Sequence, residues 1–300
     1  MAEHTNILED LSAALVQRSA AAQNSVVGVG LHDEEYVTGT LWQPGLIIAS
    51  NQALPKWEAF DVVLPGGSVQ QAAVAGRDPG TNIALLRLNE QVSITLLKPA
   101  HATTGTVVLA TGSDGKGSAT ARLGIVNQAG PEWHSSYGGR IDRRIVLDLG
   151  LGRREEGGPV FDAAGGFIGM STFGPRGRVL VIPTFTIERA VELLKKDGHV
   201  SRGWLGVTFQ PVAIPESLQD AAGKSKGLMA MSTTEGGPAA KAGVVAGDII
   251  VALNDTPAHR YRSILSQLGP ESIGRKANLR LIRGGKVISL EATIEARPHA

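Results

Sequence analysis

Two groups of adjacent residues carry side chains that could take part in catalysis. His134, Ser135 and Ser136 place an imidazole beside hydroxyl groups, a combination that can activate a hydroxyl as a nucleophile. Such neighbours in a polar loop are more often plain surface residues, so this interpretation is secondary. Glu155 and Glu156 form a pair of carboxylates. Because neighbouring side chains on an extended chain point to opposite sides, these two cannot flank one glycosidic bond.

The residue types that bind metal ions do not occur at ligand spacing. The seven histidines form no His-x-x-x-His or similar pair, and the chain has no cysteine, which excludes thiolate ligands and disulfides. We therefore expect no metal site and no cofactor.

Length and charge restrict the possible partners. The formal net charge is +1 and lysine and arginine do not cluster, so nucleic-acid binding is not expected. The chain lacks the run of about 18 apolar residues that a membrane-spanning helix needs, so no membrane span is predicted. A chain of 300 residues is long enough for two or three domains.

The predicted secondary structure that must position any site changes from helix to strand early in the chain. Leucines recur at helical spacing over residues 7–20, and Asn6 with Glu9 resembles a capping box, which predicts an N-terminal amphipathic helix. From residue 25 onward, short β-prone runs alternate with turns rich in Gly, Pro, Asn and Asp, a pattern typical of an all-β barrel or sandwich. A helix over residues 187–196 then closes this part.

A second unit follows a short polar linker. From residue 204 the pattern predicts a strand over residues 205–209 and a helix over residues 261–268. Four further strands are predicted near residues 227–231, 248–253, 278–283 and 287–294. Mixed α+β content is therefore expected in the last hundred residues.

Three segments resemble the catalytic motifs of one enzyme family. Residues 154–159 (Arg-Glu-Glu-Gly-Gly-Pro), followed by residues 166–171, resemble the nucleophile region of trypsin-like proteases, where Gly-Asn-Ser-Gly-Gly-Pro carries the reactive serine. Residues 46–54 look like the HtrA turn that ends in Thr-Asn-Asn-His-Val-Val, and residues 76–86 like Asp-Pro-x-Thr-Asp-Leu-Ala-Val-Leu. The chain thus resembles HtrA/Deg-type serine proteases, which implies a mainly β fold with two six-stranded β-barrels of the chymotrypsin/trypsin-like type over residues 25–198.

The resemblance also indicates that all three catalytic positions have changed. It places Gln52 at the histidine, Asn82 at the aspartate and Glu156 at the serine. Catalysis in this family needs a hydroxyl nucleophile, an imidazole base and an orienting carboxylate, whereas an amide is no base near neutral pH. Arg154 stands at a glycine of the oxyanion hole, where a positive φ would disfavour it. We therefore predict a degenerate member of the family, a pseudoprotease that is not an enzyme.

The Glu156 carboxylate is expected to block the former active site. We expect it either to accept hydrogen bonds from N–H groups that remain there or to pair with Arg153 or Arg154.

The second unit resembles the PDZ domain of HtrA proteins. Residues 202–207 look like its opening and residues 237–250 like its most recognisable run. The predicted organisation is therefore an N-terminal helix over residues 1–24, the barrel domain over 25–198, a linker over 199–203 and a PDZ domain over 204–300.

The resemblance implies a peptide-binding groove in this PDZ domain. In that fold, the backbone N–H groups of a loop capture the C-terminal carboxylate of a peptide, which adds a strand to the sheet edge. The positions that match the groove are Trp204, Leu205, Gly206, Val207, Ile264, Leu265 and Leu268.

These expectations define two functional hypotheses. The first is a protein that binds peptides or protein C-termini through its PDZ domain and serves as a regulatory, chaperone-like or scaffold subunit in protein quality control. The alternative is a serine-type hydrolase with relocated catalytic residues. HtrA proteins commonly form trimers, which implies a homo-oligomer or association with an active relative. The start of the sequence is unlike a signal peptide and slightly favours the cytoplasm, while the resemblance favours the cell envelope.

Overall fold

Alternating apolar and polar residues and frequent turns give a chain built mainly of antiparallel strands. A computed structural model describes residues 6–298. Residues 1–5 of the predicted N-terminal segment and residues 299–300 of the predicted PDZ domain lie outside the described residues. The chain divides into two units. Residues 6–133 and 141–199 belong to the first unit, and residues 134–140 and 200–298 belong to the second.

The first barrel of the first unit is closed by six strands. They are β1 (Val26–Gly30), β2 (Tyr36–Gln43), β3 (Leu46–Ser50), β4 (Ala59–Val63), β5 (Val69–Asp78) and β6 (Ile83–Leu88). Their hydrogen-bonded order is β1-β2-β3-β6-β5-β4, and all pairs are antiparallel. Inward-pointing aliphatic side chains such as Val29, Ile47 and Leu86 fill the interior and are fully buried.

The second barrel has the same strand number. Its part of the chain contains β7 (Val107–Ser113), β8 (Ala119–Gly130), the short strands β9 (Trp133–His134) and β10 (Arg140–Ile141), β11 (Arg144–Asp148), β12 (Pro159–Asp162), β13 (Phe167–Phe173) and β14 (Val179–Pro183). The closed order is β11-β14-β13-β12-β7-β8. The prediction of two six-stranded barrels is confirmed.

Two helices flank the barrels. α1 (Ile7–Gln23) is three residues longer than predicted, and the Asn6 side chain makes no capping hydrogen bond, so the capping-box prediction is wrong. Only Ala22 of this helix is buried. α2 (Thr184–Asp197) ends at Gly198, which adopts φ 72° and whose N–H donates to Leu194, as the sequence predicted.

In its described residues, the second unit combines antiparallel sheet with three short helices. It contains β15 (Gly203–Trp204), β16 (Val207–Ala213), α3 (Glu216–Ala222), β17 (Lys226–Thr233), α4 (Pro238–Lys241), β18 (Ile249–Leu253), β19 (Thr256–Pro257), α5 (Tyr261–Leu265), β20 (Lys276–Arg283), β21 (Lys286–Thr293) and β22 (Glu295–Ala296). The main sheet has the order β16-β17-β18-β20-β21. The core beneath it includes Leu228, Ile250 and Leu281.

Two predicted boundaries in this unit are wrong for local reasons. The first long strand begins at Val207 rather than at residue 205, because Gly206 has φ 71° and interrupts the extended chain. α5 ends at Leu265 instead of continuing to residue 268. Leu268 N–H donates to Leu265 three residues back, a tighter turn than an α-helix.

No helix within residues 6–298 is both long and apolar enough to cross a membrane.

Candidate functional site

Gln52, Asn82 and Glu156 lie in one hydrogen-bonded network of the first unit. Gln52 lies in a 3₁₀ turn directly after β3, and its backbone N–H donates to Asn82 Oδ1 at 2.8 Å. Its Nε2 donates to Glu156 Oε1 at 2.6 Å. The three residues are thus brought together, as three parts of one site would be. Their assignment to the catalytic positions of the family stays a prediction.

One oxygen of Glu156 collects several donors. Oε1 accepts hydrogen bonds from Ser50 Oγ at 2.8 Å, Thr172 Oγ1 at 2.8 Å and the Phe173 N–H at 3.3 Å, besides the one from Gln52. The residue is buried. Charge-assisted hydrogen bonds of this kind compensate for the burial of a carboxylate.

The hydroxyl groups of Ser50 and Thr172 were not predicted as part of the site. Asn82 Nδ2 donates to Ser50 Oγ at 2.9 Å and to Thr172 Oγ1 at 2.7 Å. Ser50 ends β3 and Thr172 lies in β13, so each barrel supplies one of them. Small hydroxyl residues inside strands carry no sequence signal, and only the packing of the two barrels places them here.

Arg154 makes contacts that differ from those expected. Its guanidinium lies 4.9 Å from the centroid of the Tyr36 ring, and its carbonyl accepts the Thr38 hydroxyl at 2.7 Å. It lies in the 3₁₀ turn Arg153–Glu155 and has no positive φ. The Glu156 N–H donates to Arg153 O at 3.3 Å within that turn. We expected the Glu156 carboxylate either to accept hydrogen bonds from N–H groups or to pair with Arg153 or Arg154. The arginine pairing does not form, and the carboxylate instead accepts from Ser50, Gln52, Thr172 and the Phe173 N–H.

Glu155 supports the turn that precedes Glu156. Its Oε1 accepts hydrogen bonds from Arg122 Nε at 2.9 Å and Thr120 Oγ1 at 3.0 Å, and its Oε2 accepts the Gly152 N–H at 2.7 Å. Burial raises the pKa of this carboxyl, but the hydrogen bonds from Arg122, Gly152 and Thr120 outweigh burial and hold the pKa below its ordinary value. The turn is thereby fixed to β8.

A cleft of about 730 Å³ opens beside this network. Its lining includes both signs of charge, with Glu35 and Glu156 as acidic and Arg153 and Arg154 as basic residues. The rest of the lining is Leu31, Tyr36, Val37, Gln52, Ala53, Phe173, Gly174 and Gly177.

Ser135 has a structural role in the second unit. Its Oγ accepts the N–H groups of Tyr137 and Gly139, each at 3.2 Å, and so closes a turn of the segment 134–140.

A separate cavity of about 360 Å³ lies in the second unit. All seven residues predicted to form the peptide groove line it, namely Trp204, Leu205, Gly206, Val207, Ile264, Leu265 and Leu268. Leu205, Ile264 and Leu268 are buried. Gly206 has φ 71°, and a Cβ there would lie 3.1 Å from the Trp204 ring, so the loop needs glycine at this position. The binding role of these residues stays a prediction.

Further residues around this cavity were not predicted. They are Tyr137, Arg202, Gly203, Thr208, Phe209, Thr234, Tyr261 and Arg297. Phe209 lies in the predicted strand and Tyr261 in the predicted helix. Both could therefore have been named by following these two elements along the groove. Tyr137 belongs to the segment 134–140, and its place in the second unit depends on contacts that are distant in sequence.

Within residues 6–298, no group of three or more His, Asp or Glu side chains could hold a metal ion.

Comparison with known proteins matches both units. The family model of the trypsin-like peptidase domain matches residues 37–170, and that of the PDZ domain matches residues 203–294. A probable periplasmic serine endoprotease of the DegP-like type from Brucella suis biovar 1 (strain 1330) is 32% identical over 267 residues, covering 86% of this chain and 52% of the relative. The equivalent protein of Pseudomonas putida (strain W619) is 31% identical over 263 residues, covering 85% and 54%.

Solved structures show the same fold over nearly the whole chain. The HtrA-type protease AlgW with a decapeptide superposes with a TM-score of 0.72 at 22% identity, covering 95% of this chain and 99% of AlgW. A serine endoprotease from Yersinia pestis gives a TM-score of 0.71 at 24% identity, covering 94% and 98%.

The fold and the matches define a trypsin-like peptidase domain followed by a PDZ domain. This chain belongs to the HtrA/DegP-type trypsin-like serine proteases with a C-terminal PDZ domain. It spans about half the length of the curated relatives it matches.

The relatives correct two expectations. They are named serine endoproteases, which points to an enzyme and contradicts the prediction that the chain is not one; the name pseudoprotease is likewise not supported. They are also named periplasmic, so the slight preference for the cytoplasm is unsupported.

Proposed function

We propose that this chain binds peptides or protein C-termini in the groove between β16 and α5 and acts in protein quality control, with a regulatory, chaperone-like or scaffold role. The observation that carries the proposal is the cavity of about 360 Å³ beside the loop Leu205, Gly206 and Val207. The loop has the glycine that close approach of a carboxylate requires, and the buried side chains of Ile264 and Leu268 give the cavity an apolar floor.

A C-terminal peptide array tests the proposal. The full chain is compared with Gly206→Trp, in which a large side chain enters the loop. Gly223→Trp is the matched control, because Gly223 also has a positive φ (68°) but faces open space. We expect the wild type and the control to retain peptides with apolar terminal residues, while Gly206→Trp loses them. Equal retention by Gly206→Trp would contradict the proposal.

A second candidate function is a serine-type hydrolase with relocated catalytic residues. Membership of a family whose relatives are named serine endoproteases favours it. The hydroxyls in question are Ser136 and the two that contact Glu156, Ser50 and Thr172. Ser50 and Thr172 are buried, so Gln52, which lies over the carboxylate, would have to move before a substrate reached them.

Casein turnover tests the hydrolase. The wild type, Ser50→Ala, Thr172→Ala and Ser136→Ala are incubated with unfolded casein and with a serine-directed phosphonate. Turnover that is lost in one variant identifies its hydroxyl as the nucleophile. Wild-type protein that neither cleaves casein nor reacts with the phosphonate would contradict this candidate.

The relatives also suggest a location and an assembly. Because they are named periplasmic, we propose that this chain acts in the cell envelope. We further propose a homo-oligomer such as a trimer, the state implied by the family resemblance.

A further inference from the structure

The free edge of β16 contains a proline, Pro211. β16 is an edge strand of the main sheet in the described part of the second unit, and it pairs only with β17 there. An edge strand is where a bound peptide adds as a further strand. Proline has no N–H and cannot donate to such a strand.

The backbone contacts fix which residues of β16 face outward. The Gly206 carbonyl accepts the Thr234 N–H at 2.7 Å, and the Ile214 N–H donates to Ser225 O at 2.9 Å. Both groups therefore point toward the β17 side. Backbone groups alternate along a strand with a period of two, so the even-numbered residues between them face β17 as well.

The odd-numbered residues of β16 consequently face the open edge. The alternation is preserved across the irregularity in the ladder, because Thr208 pairs with Ser232 and Phe209 with Ala230. The extra residue is Met231 on β17, and β16 has none. Val207 and Phe209 thus offer N–H groups to a ligand, and the next outward position is Pro211.

Two aromatic rings close the groove at the same place. The ring centroids of Phe209, on β16, and Tyr261, the first residue of α5, lie 6.4 Å apart. Rings at this distance are in contact, which leaves no room for a ligand side chain between them. The apolar residues Leu205, Ile264 and Leu268 line the same cavity as these two rings.

We infer that this groove recognises only about the last three residues of a ligand, a carboxyl-terminal tail with an apolar final residue, and that upstream residues add little affinity. The inference rests on the proposed function. A peptide that pairs antiparallel to β16 with its carboxylate at the loop places its final residue near Val207 and its third residue from the end opposite Phe209. Its fifth residue from the end would face Pro211 and find no donor.

Calorimetric titration of the full chain with peptides of different length tests this inference. The probes are the seven-residue peptides retained best in the array, shortened from the N-terminus to five and three residues. All peptides are N-acetylated. The residues that precede the last three are Ser, Thr or Ala only, so that the length changes without a change of charge. We expect the wild type to bind the three lengths with Kd values within about twofold. In Pro211→Ala the restored N–H should make the seven-residue peptide about fivefold tighter and leave the three-residue peptide unchanged.

Pro215→Ala is the control, because Pro215 is also exposed but lies outside β16. It should behave as the wild type. Wild-type protein that binds seven residues about tenfold or more tighter than three overturns the length limit. An equal dependence on length in wild type and Pro211→Ala overturns the role of Pro211. If no peptide binds, or if Gly206→Trp binds them all unchanged, the proposed function itself fails.

Discussion

Glu156 stabilises the first unit by joining side chains from both barrels. Ser50 is the last residue of the first barrel's strand β3 and Gln52 follows that strand, while Thr172 and Phe173 belong to the second barrel's strand β13. All four donate to the same carboxylate oxygen. Hydrogen bonds to a charged group are worth more than neutral ones, and donors left without an acceptor are costly when buried. The residue that stands at the predicted serine position thus has a clear role in stability.

Replacing Glu156 by Ala should therefore destabilise the protein. We expect a loss of about 2–3 kcal/mol, because buried donors lose their common acceptor. Thermal unfolding followed by circular dichroism would show a midpoint several degrees lower. Glu90→Ala, at an exposed position, is the control and should shift the midpoint little. An unchanged midpoint in Glu156→Ala would contradict the assigned role.

Glu155 should make stability depend on pH. Its pKa is lowered in the folded state, so its stabilising contribution is present above the ordinary pKa of a glutamate and is lost as the pH falls through the folded value. We expect Glu155→Gln to be less stable than wild type by about 1 kcal/mol at neutral pH. In urea unfolding, this difference should shrink in acid. A difference that is the same at both pH values would show that the charge of Glu155 does not matter.

At the scale of elements, the turn from Glu156 to β12 depends on glycine. A Cβ on Gly158 would overlap the carbonyl oxygen of Thr111, which belongs to the backbone of β7 in the second barrel. Gly158→Ala should therefore destabilise the protein by about 3 kcal/mol or more, or prevent folding. Gly150→Ala is the matched control, since a Cβ there meets nothing within 4 Å. Equal midpoints of thermal unfolding for the two variants would be inconsistent with this packing.

The elements predictable from the sequence are those with a local signal. α2 was predicted within three residues at its start and one at its end, because the spacing of its apolar residues is a local pattern. β8, β12 and β14 were not predicted. The burial pattern of β8 shows no regular alternation, since much of this strand is exposed on both faces. β14 is buried throughout and therefore also lacks alternation.

The candidate sites differ in how far the sequence could predict them. The seven groove residues were named from a resemblance to short motifs, and they line one cavity. Ser50, Thr172 and Tyr137 could not be named, because each reaches its site through pairing of elements far apart in the chain. The prediction that the chain is not an enzyme was argued from three replaced positions. It is contradicted by relatives that match most of the chain and are named serine endoproteases.

For the whole molecule, assembly can be measured directly. α1 exposes Ile7, Leu8, Leu11 and Val16 to solvent in the single chain. If the proposed oligomer forms, light scattering after size-exclusion chromatography should give a mass that is two or more times 31.3 kDa. A mass of one chain at all concentrations would contradict the oligomer.

We propose that the groove beside Gly206 captures a C-terminal carboxylate. The most direct test is the Kd of one peptide from the array in two forms, with a free carboxylate and with a C-terminal amide. Because the loop N–H groups would lose a charged acceptor, we predict binding at least about tenfold weaker for the amide. Equal Kd values for the two forms would contradict the account.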